Sequence, residues 1–529
     1  MSTSVNNKTK CVSGGAPKPP VFRVVSLLLC LAPLAWSVFL AGCVVGPKYT
    51  RPSVPAPTSY KELPAPGTAN TSIWRPAQPS ENLIRGKWWE MFQDPELNRL
   101  EEKAAISNQN IAAAAANFLT ARALVKEARS QYFPTVSTNP SVTNSRPSTG
   151  QFGGLRAGSS SSGISVSSST NYSLPFDASW EPDFWDRIRN GVRANVYAAQ
   201  ASAADLANVL LSEQAEVAVD YYELHSQDSL KQLLDSTVTS YQETFDLTQE
   251  RYRAGLDSEE AVAQAEAQLK TAQAQDTSVG ILRAQYEHAI AVLTGQPPST
   301  FSLVAAPLHV TPPQVPVGIP SELLERRPDI AAAERAVAAA NSEIGIAKSA
   351  YFPNILLSAT GGFGNSSFTS WLTWPSRFWS VGVSVAETVF DAGLRKATLA
   401  QYRATYVGNV ANYRQTVLIA FQQVEDNLAA LRLLSQTIQQ QDAAVEAAQR
   451  SLREATVRYQ SGLDPYLNVI SAQTVLLNNQ ETAVNFRMQE MVADVQLIKA
   501  LGGGWNVTQM PSPLQVGDKT GASAHPRHR

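Results

Sequence analysis

The sequence contains little cysteine, no excess of basic charge and only one long apolar run. Three cysteines occur in 529 residues, and 43 lysines and arginines are balanced by 45 aspartates and glutamates. This balance excludes a nucleic-acid reader, which needs a basic surface to displace the counterions of the phosphate backbone. The single apolar run excludes a polytopic helical membrane protein, which needs several such segments. The length excludes a small module.

The single apolar run extends from Val24 to Val45 and follows a basic segment, as in a secretory signal peptide. It ends in Leu40-Ala-Gly-Cys43, which resembles a bacterial lipobox. The sequence therefore predicts a signal peptide over 1–42 and lipidation of Cys43. Cys11 and Cys30 leave with the signal peptide, so no disulfide forms in the mature chain. An ordinary signal peptide followed by a chance cysteine is the alternative.

Two motifs occur twice, which indicates an ancient duplication and not a short-period solenoid. Ala128-Arg-Ser-Gln-Tyr-Phe-Pro134 recurs as Ala347-Lys-Ser-Ala-Tyr-Phe-Pro353, and Arg251-Tyr-Arg-Ala-Gly-Leu-Asp257 recurs as Arg458-Tyr-Gln-Ser-Gly-Leu-Asp464. Each half is expected to run in the same order: a helix, a strand, a loop, a strand, a very long helix, a tip and a returning helix.

The long helices are predicted from missing prolines and from a heptad-like pattern. No proline lies between Pro182 and Pro297 or between Pro375 and Pro465, and apolar residues recur at alternating spacings of four and three. Each helix is expected to have roughly 67 residues and a length of about 100 Å. A rod or a tunnel needs helices of this length, whereas a soluble core does not.

The predicted strands alternate apolar and polar residues over about ten positions, as transmembrane β-strands do. One such segment is Tyr172–Trp180 and another is Trp379–Val385. Four strands in one chain do not close a barrel, and lipid does not tolerate an open strand edge. The chain is therefore expected to oligomerise. Three copies give twelve strands and two copies give eight, and the strand count alone does not choose between them.

Taken in order, the motifs resemble the outer-membrane factor family of TolC-like efflux ducts, in its lipoprotein (NodT) branch from RND-type systems. The resemblance covers nearly the whole mature chain. It rests on the two Arg-Tyr-x-x-Gly-Leu-Asp tips and on the segments Val45-Gly-Pro-Lys-Tyr-Thr-Arg-Pro52, Trp88-Trp-Glu-Met-Phe-Gln-Asp-Pro95, Pro320-Ser-Glu-Leu-Leu-Glu-Arg-Arg-Pro-Asp329 and Ala500-Leu-Gly-Gly-Gly-Trp505.

The resemblance implies a mixed α and β fold with duplicated halves, a long coiled-coil-like α-helical barrel and four transmembrane β-strands per chain. Three chains would form a twelve-stranded barrel in the outer membrane and a periplasmic helical tunnel. The implied partners are outer-membrane lipid, a periplasmic adaptor and an inner-membrane RND-type pump. The implied function is that of a passive duct for drugs or other small molecules.

The predicted organisation divides the chain into six parts. These are a signal peptide (1–42), an N-terminal lipid-anchored collar segment (43–94), a first structural repeat (95–296), an equatorial linker (297–328), a second structural repeat (329–501) and a disordered C-terminal tail (502–529). Within the repeats we expect strands at about 134–144, 171–181, 354–364 and 378–388, long helices at about 186–253 and 391–459, and return helices at about 258–294 and 465–500.

The motifs of common enzyme and metal sites are missing from the sequence. None of the five histidines has the His-x-x-x-His spacing, and the mature chain offers no free cysteine as a metal ligand. We therefore expect no enzymatic activity, no cofactor and no metal site. The energy for transport would come from a partner.

In this family the periplasmic mouth is closed by helices that begin at the second tip, and a tip tyrosine ties them to a carboxylate. Tyr459 matches that tyrosine. The carboxylate position falls at Ala261, beside the acidic Glu259 and Glu260. The other gate positions of the family fall at Asp464, Leu467, Asn468, Ser471 and Thr474. Asn468 and Ser471 replace aspartates, so we expect closure by packing and hydrogen bonds and weak cation selectivity. The alternative is that Tyr459 is only a helix-seam residue.

The two tips are the expected contacts with the adaptor, through Gly255, Leu256, Gly462 and Leu463. Locally, both glycines fit helix C-caps in the left-handed region, which glycine adopts at little cost. Two other functions are considered. One is a duct for type I protein secretion, and the other is a trimeric coiled-coil adhesin or structural rod. Internal, duplicated strands and helices that return through a tip favour the efflux duct over the adhesin.

Overall fold

A computed structural model describes residues 45–57, 59–62, 86–146, 167–309, 312–313, 315 and 320–517. Cys43 and the predicted signal peptide lie outside the described residues. The α-helices of five or more residues are α1 (Pro95–Ser107), α2 (Gln109–Ser130), α3 (Arg187–Arg253), α4 (Glu259–Leu293), α5 (Pro328–Ser349), α6 (Leu394–Gln460), α7 (Tyr466–Ala500) and α8 (Pro513–Gly517). The strands are β1 (Thr135–Thr138), β2 (Ser141–Ser145), β3 (Ser169–Trp180), β4 (Asn354–Asn365) and β5 (Arg377–Ala386).

The duplication is visible in the helix lengths. The long helices α3 and α6 both have 67 residues, and the return helices α4 and α7 both have 35. At a rise of 1.5 Å per residue, each long helix measures about 100 Å. The predicted heptad seam of α6 is confirmed at Tyr413, Val417 and Val424, which are all buried.

The five strand segments occupy four positions in one sheet, in the order β1-β3-β4-β5, and β2 also pairs with β3. The strand expected over 134–144 is therefore interrupted at Asn139 and Pro140, where proline lacks the N–H that a continuous ladder needs. The pairs β2–β3, β3–β4 and β4–β5 are antiparallel. Alternate apolar residues of β5 are exposed, for example Trp379 at 77% and Val381 at 74%.

The main core of the helical part lies where the segment before α1 packs on α3. Asp94 caps α1 by accepting hydrogen bonds from the backbone N–H groups of Glu96 and Leu97, and Pro95 occupies the first helical position. Asp94 also accepts a 2.7 Å hydrogen bond from the Tyr221 hydroxyl of α3. Trp88, in the segment before α1, is fully buried in this core together with Tyr221.

The C-terminal tail corrects a prediction. Residues 502–529 were expected to be disordered, but the described part, 502–517, ends in α8, which packs on α2. Val516 is fully buried against Val125 and Ala128, and the Arg129 guanidinium donates to the carbonyl of Pro513 at 3.2 Å. One buried valine is too weak a pattern for a sequence prediction, yet together with the Arg129–Pro513 hydrogen bond it holds a short helix on the surface of α2.

None of the helices in the described parts of the chain has the length and apolar character required to cross a membrane.

Candidate functional site

Both copies of the Arg-Tyr-x-x-Gly-Leu-Asp motif end a long helix in the same way. Gly255 and Gly462 have φ of +72°, the left-handed conformation that glycine adopts at little cost. In the first tip the N–H of Gly255 donates to the carbonyl of Tyr252 at 2.9 Å, and that of Leu256 donates to Arg251 at 2.8 Å. The second tip has the same two bonds at 2.9 Å. This pattern is a Schellman cap.

Each tip also contains an ion pair between the first and last residues of the motif. Arg251 Nε lies 2.8 Å from Asp257 Oδ2, and Arg458 Nε lies 2.6 Å from Asp464 Oδ2. The first pair is largely buried, with side-chain exposures of 17% and 14%, whereas Arg458 is 53% exposed. The cap turns the chain back so that residues six positions apart meet.

The first tip binds a tyrosine of the second tip. The Tyr459 hydroxyl donates to Asp257 Oδ2 at 2.6 Å and lies 3.2 Å from Thr248 Oγ1. Arg251 holds the same tyrosine from the other side, since its guanidinium carbon lies 4.9 Å from the ring centre. We call the set Arg251, Asp257, Thr248 and Tyr459 the tip joint.

The tip joint links the end of α6 to the first tip through more than one bond. Arg251 also donates to the backbone carbonyl of Gln460 at 3.2 Å. Tyr459 is 2% exposed. Its burial raises its pKa, and the hydrogen bond to Asp257 raises that pKa further, so the hydroxyl keeps the proton that it donates.

The tip joint corrects the predicted partner of Tyr459. Glu259 and Glu260 are exposed in the first turn of α4, where negative charge suits the helix N-terminus. Glu260 accepts a hydrogen bond from Gln264 on its own helix. Ala261, at the carboxylate position of the family, is buried against Tyr459. Tyr459 is therefore both a packed seam residue and a hydrogen-bond donor, and its acceptor is Asp257.

Four of the remaining predicted gate residues share one face of α7. Leu467 is 56% exposed, and Asn468, Ser471 and Thr474 are also exposed. The opposite face packs on the tip joint through Tyr466 and Val469. No acidic residue occurs between positions 467 and 474. Asp464 lies before this face, and its ion pair with Arg458 lowers its pKa.

Besides the tip joint, a hydrogen bond connects α7 to α4: Gln268 Nε2 donates to Thr474 Oγ1 at 3.3 Å. The sequence did not mark Gln268, Thr248 or the Arg251–Asp257 pair as contacts of the predicted gate residues. For the Arg251–Asp257 pair the available signal was the identical spacing of arginine and aspartate in both tips. No comparable signal marked Thr248 or Gln268.

Comparison with known proteins identifies the family. The model of the outer membrane efflux protein family matches residues 100–296 and 319–503. The chain is 31% identical over 485 residues to the toluene efflux pump outer membrane protein TtgC of Pseudomonas putida, covering 90% of this chain and 96% of the relative. The antibiotic efflux pump outer membrane protein ArpC of Pseudomonas putida has the same identity and coverage.

A solved structure has the same fold. The outer-membrane channel OprN superposes with a TM-score of 0.78 at 27% sequence identity, covering 88% of this chain and 100% of OprN. The chain therefore belongs to the outer membrane efflux protein family, and it is the outer-membrane channel component of an efflux pump and not an enzyme.

Proposed function

We propose that three copies of this chain form a passive duct, anchored in the outer membrane through lipidated Cys43 and extended into the periplasm by the long helices. The sheet supports an assembly, because its edge strands, β1 with β2 on one side and β5 on the other, lack a further neighbour among the described strands. Lipid does not tolerate such edges. Four strand positions in each of three chains give a closed barrel of twelve.

The α-helical part of the duct closes at the tips. The tip joint fixes the end of α6, and the exposed α7 face with Leu467, Asn468, Ser471 and Thr474 lines the closed mouth. Asp464, Glu259 and Glu260 supply the charge around this mouth without forming a ring on the α7 face. Closure thus depends on hydrogen bonds and packing.

The two tips bind a periplasmic adaptor, which connects the duct to an RND-type pump in the inner membrane. Leu256 and Leu463 carry this part of the proposal, since they are 67% and 68% exposed at the ends of otherwise polar hairpins. Gly255 and Gly462 shape the turns that present them. Two exposed leucines in equivalent positions suit a partner that binds each hairpin in the same way.

The cargo consists of drugs or other small organic molecules. The relatives TtgC and ArpC are named for toluene and antibiotic efflux. A duct without an acidic ring at its mouth suits neutral or amphiphilic cargo, because it offers little attraction to cations alone. The pump, which captures the cargo first, sets the range of substrates.

Deletion of the coding sequence and complementation test this function. The deletion strain should become more sensitive to antibiotics and solvents, and the wild-type chain should restore resistance. Leu256→Ser combined with Leu463→Ser should fail to restore it. Leu514→Ser, at a leucine that is 78% exposed in α8, is the matched control and should restore resistance. Unchanged sensitivity on deletion, with loss of adhesion or of a secreted protein, would contradict the proposal.

A further inference from the structure

The duplicated tip contains the parts of two equal contacts, but the chain uses only one of them internally. Tyr459 of the second tip is 2% exposed on the Arg251–Asp257 pair of the first tip. Its counterpart in the first tip, Tyr252, is 43% exposed. Within the described ranges, no hydrogen-bond partner of the Tyr252 hydroxyl is found.

The matching acceptor is formed and accessible. Arg458 and Asp464 of the second tip form the equivalent ion pair, with two bonds of 2.6 and 3.1 Å, whereas Arg251 and Asp257 have one bond of 2.8 Å. Their side chains are 53% and 22% exposed, against 17% and 14% for the first pair. The second ion pair therefore joins the same two motif positions as the first but carries no tyrosine.

The contact is head-to-tail: one hairpin supplies the arginine–aspartate pair and the next supplies the tyrosine. When this contact forms once inside a chain, a tyrosine remains on the first hairpin and a pair remains on the second. These two surfaces complement each other but belong to different ends of the chain. Head-to-tail contacts of this kind close into rings when the rotation between copies allows it.

We propose that Tyr252 of each protomer binds the partner subunit's Arg458 and the partner subunit's Asp464, as Tyr459 binds Arg251 and Asp257 within one chain. This inference rests on the proposed trimer, whose ring of tips would then contain three internal and three interchain contacts. The phenol donates to the carboxylate, and the guanidinium lies over the ring face.

The two contacts differ in strength. Thr248, which lies 3.2 Å from the Tyr459 hydroxyl, stands three residues before Arg251. The residue three positions before Arg458 is Ala455, which has no hydroxyl. The interchain contact therefore has one polar group fewer, and it is the contact that separates first when the ring of tips widens.

Cysteine cross-linking in membranes tests the proposal with the full-length chain. Tyr252→Cys combined with Asp464→Cys, treated with a short bis-maleimide, should give covalent dimers and trimers on a denaturing gel. Tyr459→Cys combined with Asp257→Cys is the positive control and should be linked within one chain, as a monomer that runs ahead of the unlinked chain because the link closes a loop between positions 202 residues apart. Asp442 lies on α6, farther from the tip than Asp464. Tyr252→Cys combined with Asp442→Cys should therefore remain unlinked, as should each single variant.

Native electrophoresis of the same samples separates the possible failures. A trimer that gives no covalent oligomer, or only an internally linked monomer, from the Tyr252 and Asp464 pair overturns the inference alone. A wild-type chain that is not trimeric overturns the proposed assembly and this inference with it. Tyr252→Phe retains the ring and removes the hydroxyl, so it should lower the temperature at which the trimer dissociates, and no change would also count against the inference.

Discussion

Tyr459 donates a 2.6 Å hydrogen bond to Asp257, and this bond joins the second repeat to the tip of the first. Arg251 holds the same carboxylate at 2.8 Å and the tyrosine ring at 4.9 Å. One arginine thus organises both members of the bond. Because charge-assisted hydrogen bonds are stronger than neutral ones, this group is well suited to hold the end of a long helix in place.

Cation selectivity should depend on the charge of the exposed face of α7. Asn468 and Ser471 are exposed on α7 and carry no charge. Asn468→Asp combined with Ser471→Asp should place six carboxylates at the mouth of a trimer, and reversal potentials in a salt gradient should then shift toward cation selectivity.

Asn468→Gln combined with Ser471→Asn is the uncharged control for the selectivity measurement and should leave the reversal potential unchanged. Strong cation selectivity in the wild-type chain, unaffected by either pair of substitutions, would contradict the account of the α7 face.

The buried Asp494 of α7 should make stability depend on pH. Burial raises its pKa from 3.8 to about 8, and the nearby Glu490 adds to the shift. A raised pKa in the folded chain means that its contribution to stability is complete below pH 4 and is lost as the pH rises toward 8. The Asp494→Asn variant should therefore lose less stability than the wild-type chain between pH 5 and pH 8, as measured by thermal unfolding.

Glu446→Gln is the control for Asp494→Asn, because the Glu446 side chain is 70% exposed. It should follow the wild-type pH profile. Identical profiles for wild type and Asp494→Asn would show that Asp494 ionises in the fold without cost.

The C-terminal helix should contribute to stability through one residue. Val516 is fully buried between α8 and α2. Val516→Ala removes two methyl groups from this contact and should cost about 2 kcal/mol of unfolding free energy. Leu514→Ala, at a position 78% exposed on the same helix, should cost much less. Equal effects in denaturant unfolding would show that α8 is not packed.

The sequence predicted the helices and strands because their patterns extend over many residues. The proline-free windows and the heptad spacing mark α3 and α6, and period-two alternation marks β3 and β5. The position of α8 was not predictable in this way, since it depends on one buried valine and on hydrogen bonds from Arg122 and Arg129 of α2. Three-dimensional packing of this kind leaves no periodic signal.

The sequence marked Tyr459 but not the carboxylate that accepts its hydrogen bond. The match of Tyr459 to a family tyrosine drew attention to the carboxylates nearest Ala261, which are Glu259 and Glu260. The Schellman cap at Gly255 instead turns Asp257 toward α3 and leaves both glutamates in solvent. A change in chain direction over three residues decided which carboxylate Tyr459 contacts, and spacing along a sequence does not report that direction.

Lipidation of Cys43 should be detectable directly. Metabolic labelling with palmitate should mark the wild-type chain and fail to mark Cys43→Ser. Cys30→Ser is the control and should be labelled normally, because this residue lies in the predicted signal peptide. Labelling of Cys43→Ser would contradict the lipobox reading.

The central claim is that the chain forms an outer-membrane channel that is closed by the tip joint. The conductance of the trimer in planar lipid bilayers tests this claim most directly. Loss of a hydrogen bond to a charged group costs about 1.5–3 kcal/mol, which is roughly a tenfold or larger shift toward the open state. We predict a small conductance for the wild-type chain and for Glu260→Gln, and a large one for Asp257→Asn and Tyr459→Phe. An absence of channels in all four, or opening by Glu260→Gln and not by Asp257→Asn, would contradict the account.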